Sequence, residues 1–264
     1  MRRCMRRLAW IVVLAGCTAP VQHAPAHDAD VADAPPPDGW AVIGHPGILL
    51  GGSDAGAGGC AARILVVFDR SLSMESPWIS GGTSAPRWQL AETALASAVS
   101  PRASQLSVGA LLFPSSDPAA SACAPVDPIS RQIPFAPGSA FLAAWAATWS
   151  HPTLYGSTPI DAAFDAADAA LAGAGAETAV VLLTDGEPTC SGAVAAEARA
   201  AAWRARGIRT FVVGLPGSSA GAAYLAGIAS AGGTGSALAV DDPRALDGAL
   251  ATIASDQVQG QCGP

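Results

Sequence analysis

Two apolar runs, Ile64-Leu65-Val66-Val67-Phe68 and Ala179-Val180-Val181-Leu182-Leu183, constrain this chain more than any other feature. Neither is interrupted by a polar residue. A run of this kind reads as a strand buried on both faces, which is the environment of a parallel sheet covered by helices on each side. The first run goes straight into Asp69, and the second reaches Asp185 through Thr184. Further strands are expected at Ser107–Phe113, Ile208–Val213 and Ala237–Val240, with a weaker one around Ile129–Ile133, where flanking prolines suit an edge. Helices are expected over Pro86–Val99, Ser139–Ala147 with Ser139 as cap, Pro159 to about Leu171, Ala193–Arg206, Ala220–Ala229 and Pro243–Ile253. Strands alternating with helices predict an α/β fold: a doubly wound, mainly parallel six-stranded sheet with helices on both faces. In such sheets ligands gather beyond the carboxyl ends of the strands, where Asp69 and Asp185 both fall.

The residues after the first run are Asp69-Arg70-Ser71-Leu72-Ser73-Met74. Three oxygens within one short loop suit a hard divalent cation such as Mg²⁺. They equally suit a helix cap, and the loop alone leaves both readings open. Gly156-Ser157-Thr158-Pro159 adds a hydroxyl at a helix mouth, with Pro159 placed for the first helical position and Thr158 for the N-cap.

Asp69-Arg70-Ser71-Leu72-Ser73, then Thr158, then Asp185-Gly186 resembles the metal-ion-dependent adhesion site of von Willebrand factor A domains. The resemblance covers about residues 61 to 256. It implies that Ser71, Ser73 and Thr158 offer hydroxyls to the cation and that Asp69 and Asp185 offer carboxylates, directly or through water. It further implies a protein partner whose Asp or Glu completes the coordination. Mg²⁺ is the expected ion, with Mn²⁺ and Ca²⁺ as alternatives. Leu72 departs from the family, in which glycine is common at that position, and puts the flexibility of the loop in question. Met74 is usual there. Glu75 and Glu187 lie near enough to be substitute ligands, although helix-start charge explains them as well.

The chain has no lysine among its 264 residues, which excludes a P-loop site and Schiff-base chemistry. Its formal charge is −7, and there is no basic stripe, so nucleic acid is not an expected partner. Residues 1–16 read as a signal peptide: four arginines, an apolar Leu8–Gly16 segment too short to span a bilayer, then Leu14-Ala15-Gly16-Cys17. That last stretch resembles the lipobox of bacterial lipoproteins and implies lipidation of Cys17. Loss of the leader's four positive charges would take the formal charge to −11. Residues 17–59, rich in Ala, Pro and Gly, read as a tether, and 60–264 as the folded domain. The expected location is the bacterial envelope, with the outer membrane favoured by Thr18 and contact with the bilayer through the lipid alone.

Four cysteines of the exported domain predict two disulfides. Cys60 and Cys262 flank the domain at the end away from the aspartates, whereas Cys123 and Cys190 follow strands at the aspartate end. The expected pairs are therefore Cys60–Cys262 and Cys123–Cys190. Trp78 has two readings, an exposed anchor for a partner or packing on the helix at Trp88. His151 is a surface turn residue in this reading. A binding module is the expected function, and no catalytic residue is assigned. The alternatives are a metal-dependent hydrolase and a structural envelope protein with an inert site. A phosphatase of the haloacid dehalogenase type would need a second aspartate at the position of Ser71.

Overall fold

The computed structural model describes residues 62–80, 82–116, 123, 127, 132–150 and 152–262. The leader, Cys17, the tether, Cys60 and His151 lie outside the described residues, and with them the Cys60–Cys262 pair. The first apolar run forms β1 (Ala62–Asp69). It is followed by a hairpin of β2 (Pro77–Ser80) and β3 (Thr83–Pro86) and by α1 (Arg87–Val99). Then come β4 (Leu106–Phe113), β5 (Ile133–Pro137), α2 (Gly138–Trp149), α3 (Ile160–Ala170) and β6 (Thr178–Thr184). The chain closes with α4 (Ala196–Ala205), β7 (Arg209–Gly214), α5 (Ala222–Ala231), β8 (Leu238–Ala239) and α6 (Pro243–Cys262).

The main sheet has six strands in the order β5-β4-β1-β6-β7-β8, all parallel except β5, which runs antiparallel to β4. From β1 the chain winds first through β4 to β5 and then back across to β6, β7 and β8. The strand order therefore reverses at β1, the point where such sheets open a crevice for a ligand. Alternate residues of β1 serve different cores. Ile64, Val66 and Phe68 pack with α1, α2 and α6, whereas Leu65 and Val67 pack with α3, α4 and α5.

Phe68, fully buried one residue before Asp69, packs against Trp145 and Trp149 at ring-centroid distances of 5.2 and 4.9 Å, and Trp88 stacks on Trp149. Truncating a side chain packed this way costs about 3–5 kcal/mol. The end of β1 is thus held from below before its carboxylate emerges.

Several local expectations are corrected. The edge strand is described at 133–137 and shares Ile133 with the expected Ile129–Ile133, of which residues 129–131 lie outside the described residues; Pro134 and Pro137 sit on an edge that needs few donors. Ser139 does not cap α2, which starts at Gly138 after Pro137. The last helix continues past Ile253 to Cys262, because Gln257 and Gln261 donate to the carbonyls of Glu177 and Ala176 at 2.9 Å each. Trp78 is buried, and its Nε1 donates to the Asp241 carbonyl at 3.1 Å, so it closes the core at the hairpin instead of facing a partner.

Candidate metal centre

The Asp69–Ser73 loop leaves β1 and is fastened at once. The Arg70 amide donates to the Phe113 carbonyl at 2.6 Å. A bridge to Tyr155 follows, with the Leu72 amide donating to the Tyr155 carbonyl at 2.7 Å and the Tyr155 amide to the Arg70 carbonyl at 3.1 Å. Leu72 points its side chain outward, 58% exposed, so its bulk does not enter the ligand set. What a glycine would leave free, the Tyr155 bridge holds.

Four of the five expected ligands are joined by hydrogen bonds. Asp69 is fully buried and accepts from the Ser71 amide at 2.7 Å and from Thr184 Oγ1 at 2.5 Å. Ser71 Oγ and Ser73 Oγ lie 2.9 Å apart. Ser73 Oγ donates to Asp185 Oδ1 at 2.7 Å. Thr158 arrives from the other side. Its N-cap assignment does not hold, since Pro159 takes that place. The reason is Thr189, whose Oγ1 accepts from the Thr158 amide at 2.8 Å and whose own amide donates to the Thr158 carbonyl at 3.2 Å. These two bonds draw Thr158 out of the helix and set its Oγ1 beside Gly186, 3.4 Å from where a Cβ would stand on that glycine.

Asp161, in the first turn of α3, secures the same loop from below by accepting from the Gly192 and Ala196 amides and from the Tyr224 hydroxyl at 3.1, 2.8 and 2.5 Å. The expected Cys123–Cys190 disulfide is present, with its Cα atoms 5.7 Å apart, and ties down the loop that carries Thr189. Glu75 and Glu187 are both exposed, which suits surface charge.

Burial, and next the charge of Asp185, push Asp69 up to about 7 against the hydrogen bonds from Thr184 and Ser71. Among the described residues no cation pairs with it. Two adjacent buried carboxylates surrounded by hydroxyls, one of them without a counter-charge, are a donor set that a hard divalent ion fits. Among the described residues no group of three or more His, Cys, Asp and Glu is placed to hold a metal, so any such ion would depend on hydroxyls.

Two participants were not anticipated from the sequence. Arg87, the first residue of α1, donates from Nη1 to Asp185 Oδ2 at 2.6 Å. Arg70, between the ligands, turns away from them and pairs with Asp127 at 2.5 Å while donating to the Pro114 carbonyl. The helix periodicity around Arg87 carried no sign of its reach, and Asp127 sits in a loop with no pattern. An arginine inside the ligand motif was the one available hint of a buried partner.

With this geometry in hand, the chain can be set beside known proteins. Residues 148–252 match the von Willebrand factor type A domain. The matched segment includes Thr158 and Asp185 and begins after the Asp69–Ser73 loop. The solved structures agree on the fold. The pilus adhesin SpaC from Lactobacillus rhamnosus GG superposes with a TM-score of 0.57 at 17% identity, over 76% of this chain and 31% of SpaC. The PilB minor pilin from Streptococcus sanguinis gives 0.54 at 15% identity, over 77% of this chain and 63% of PilB. An aerotolerance-related membrane protein from Bacteroides fragilis gives 0.50 at 22% identity, over 74% of this chain and 99% of that one. This chain thus spans about a third of the adhesin and under two thirds of the pilin. Among curated proteins no sequence match is found. The six-stranded, mainly parallel sheet flanked by helices is the α/β architecture that the resemblance to von Willebrand factor A domains implies.

Proposed function

We propose that residues 61 to 256 form a von Willebrand factor A domain whose metal-ion-dependent adhesion site is intact. In this reading Asp69, Ser71, Ser73, Thr158 and Asp185 hold a divalent cation, most simply Mg²⁺, and present it to an Asp or Glu of a protein partner. The carrying observation is the convergence of Asp69, Ser71, Ser73 and Asp185 into one hydrogen-bonded cluster at the ends of β1 and β6, where one buried carboxylate has no counter-charge. A bound cation would supply that charge and an electrophilic position for an incoming carboxylate. Neutral hydroxyls leave the ion's charge largely undiminished, which favours an anionic ligand.

Binding is preferred to hydrolysis because the hydrogen bonds among Asp69, Ser71, Ser73, Thr184 and Asp185 include no histidine and so pair no hydroxyl with a general base of the usual kind. Together with the Cys17 lipobox, the reading makes the chain an envelope lipoprotein that adheres to, or assembles with, another envelope or surface protein. No helix among the described residues is long and apolar enough to cross a membrane; in this reading the acyl chains on Cys17 anchor the chain.

Calorimetric titration of the purified chain with MgCl₂ and MnCl₂, beside a Ser71→Ala, Ser73→Ala double variant, tests the site. Binding by the parent and loss of at least tenfold in the variant is the expected result; equal binding by both would remove the assignment. Capture of a partner from envelope extract should then disappear in EDTA. Capture that survives EDTA would move the interaction to another surface.

A further inference from the structure

We infer that Arg87 sets the charge of this centre, weakening its hold on a divalent cation while strengthening the loaded centre's hold on a carboxylate. The inference rests on the cation reading above and deepens it. Asp185 has no exposed side-chain surface, and its two oxygens are divided between Ser73 Oγ at 2.7 Å and Arg87 Nη1 at 2.6 Å. The guanidinium reaches this place because the β2–β3 hairpin returns the chain to the ligand loop. The Arg87 amide donates to the Ser76 carbonyl at 3.2 Å, and Nη1 also lies 3.5 Å from the Ser73 carbonyl.

The seat is shaped for it. Gly217, at φ 109° in the loop after β7, would carry a Cβ 2.7 Å from Arg87 Nη1 and 2.8 Å from the Asp185 carbonyl oxygen. Only a residue without a side chain leaves that space to the guanidinium. The contact is also incomplete as a purely structural bridge. Nη1 makes both contacts, and Nε is buried without an acceptor, whereas the Nε of Arg70 in its bridge to Asp127 is satisfied by the Pro114 carbonyl.

The consequence follows from formal charge. Asp69, Asp185 and Arg87 sum to one net negative charge, and a divalent ion turns that into one net positive charge. Without Arg87 the same centre starts at two negative charges and ends neutral. The arginine therefore opposes entry of the ion by like-charge repulsion, and it leaves the loaded centre electropositive toward an acidic side chain. A residue with only a structural role would shift both affinities in the same direction when removed; Arg87 shifts them in opposite directions.

The test uses the full chain, with Mn²⁺ binding read by electron paramagnetic resonance and acetate binding to the Mn²⁺-loaded protein read by the change in water proton relaxation. Arg87→Gln is expected to bind Mn²⁺ roughly tenfold more tightly and acetate roughly tenfold more weakly. Arg87→Lys keeps the charge and should stay near the parent on both axes. Equal Mn²⁺ affinity in the parent and Arg87→Gln, or a parallel loss of both affinities, would overturn the role of Arg87 and leave the metal site standing. Absence of Mn²⁺ binding in the parent and in Arg87→Gln would overturn the metal site itself, and this inference with it.

Discussion

Two aspartates buried near the carboxyl ends of β1 and β4 are perturbed in opposite directions. Burial raises Asp127, but hydrogen bonds from Ser116, Arg70 and Ser115 outweigh it and bring the carboxyl down to about 2. At Asp69 the hydrogen bonds from Thr184 and Ser71 do not outweigh burial. Burial and the neighbouring Asp185 carry it up to about 7. Both side chains accept well-formed hydrogen bonds, so hydrogen bonding alone does not separate them. The difference lies in depth and neighbours: Asp69 is the more heavily desolvated and has a second carboxylate beside it, whereas Asp127 accepts from Ser116, Ser115 and the Arg70 guanidinium. Asp127 is a completed electrostatic unit inside the protein, and Asp69 is one that an outside cation would complete.

The comparison can be broken most forcefully at Arg70. Arg70→Met should cost about 3–5 kcal/mol in urea denaturation, because it leaves Asp127 buried without its charge partner. It should leave Mg²⁺ affinity within a few-fold, since Arg70 points away from the ligands. The next largest effect concerns the disulfide, which links the loop of Asp127 to the loop of Thr189 across a sequence separation of 67. Replacing Cys123 and Cys190 with alanine should lower stability by about 2–4 kcal/mol. It should also weaken cation binding by loosening Thr158, measured by titration at a temperature where the variant is folded.

The pH dependence sharpens the contrast further. Asp127 has a folded value below its unfolded one, so its contribution is present above about pH 4 and is lost as pH falls toward 2, an effect of about 2 kcal/mol. Asp69 has the opposite sign. In EDTA its protonated form is favoured by folding, so stability is greatest below about pH 4 and declines as pH rises through 7. Denaturation curves collected across this range should lose the acid limb in Asp127→Asn and the neutral limb in Asp69→Asn. The smallest effect follows from the same logic. At pH 8 in EDTA, Asp69→Asn should match the parent or exceed it by about 1 kcal/mol, while stabilisation by millimolar Mg²⁺, seen in the parent as a raised Tm, should vanish.

Much of this arrangement is legible in the amino-acid sequence. β6 spans Thr178–Thr184 and contains the whole Ala179–Leu183 run, because a strand buried on both faces is apolar through its middle, with one threonine at each end. The ligand loop was legible for the same reason, since it begins where the apolar run stops. The β2–β3 hairpin was not. Its strands are four residues each, begin or end in proline, and bury Trp78 while leaving Ile79 exposed, which is too short a stretch for a period to show. Arg87 and Asp127 were missed for another reason. Their roles depend on contacts with residues 98 and 57 positions away, and no local pattern records a long-range ion pair.

The bridge between the ligand loop and Tyr155 has a practical use. The whole chain contains two tyrosines, Tyr155 on that bridge and Tyr224 on Asp161. Incorporation of fluorotyrosine would therefore yield a fluorine spectrum of two resonances. One sits beside the loop that must adjust when an ion arrives, and the other lies below the Thr189 loop on the opposite side of the centre. Their separate shifts would show whether the two sides of the ligand set respond in one step or in sequence.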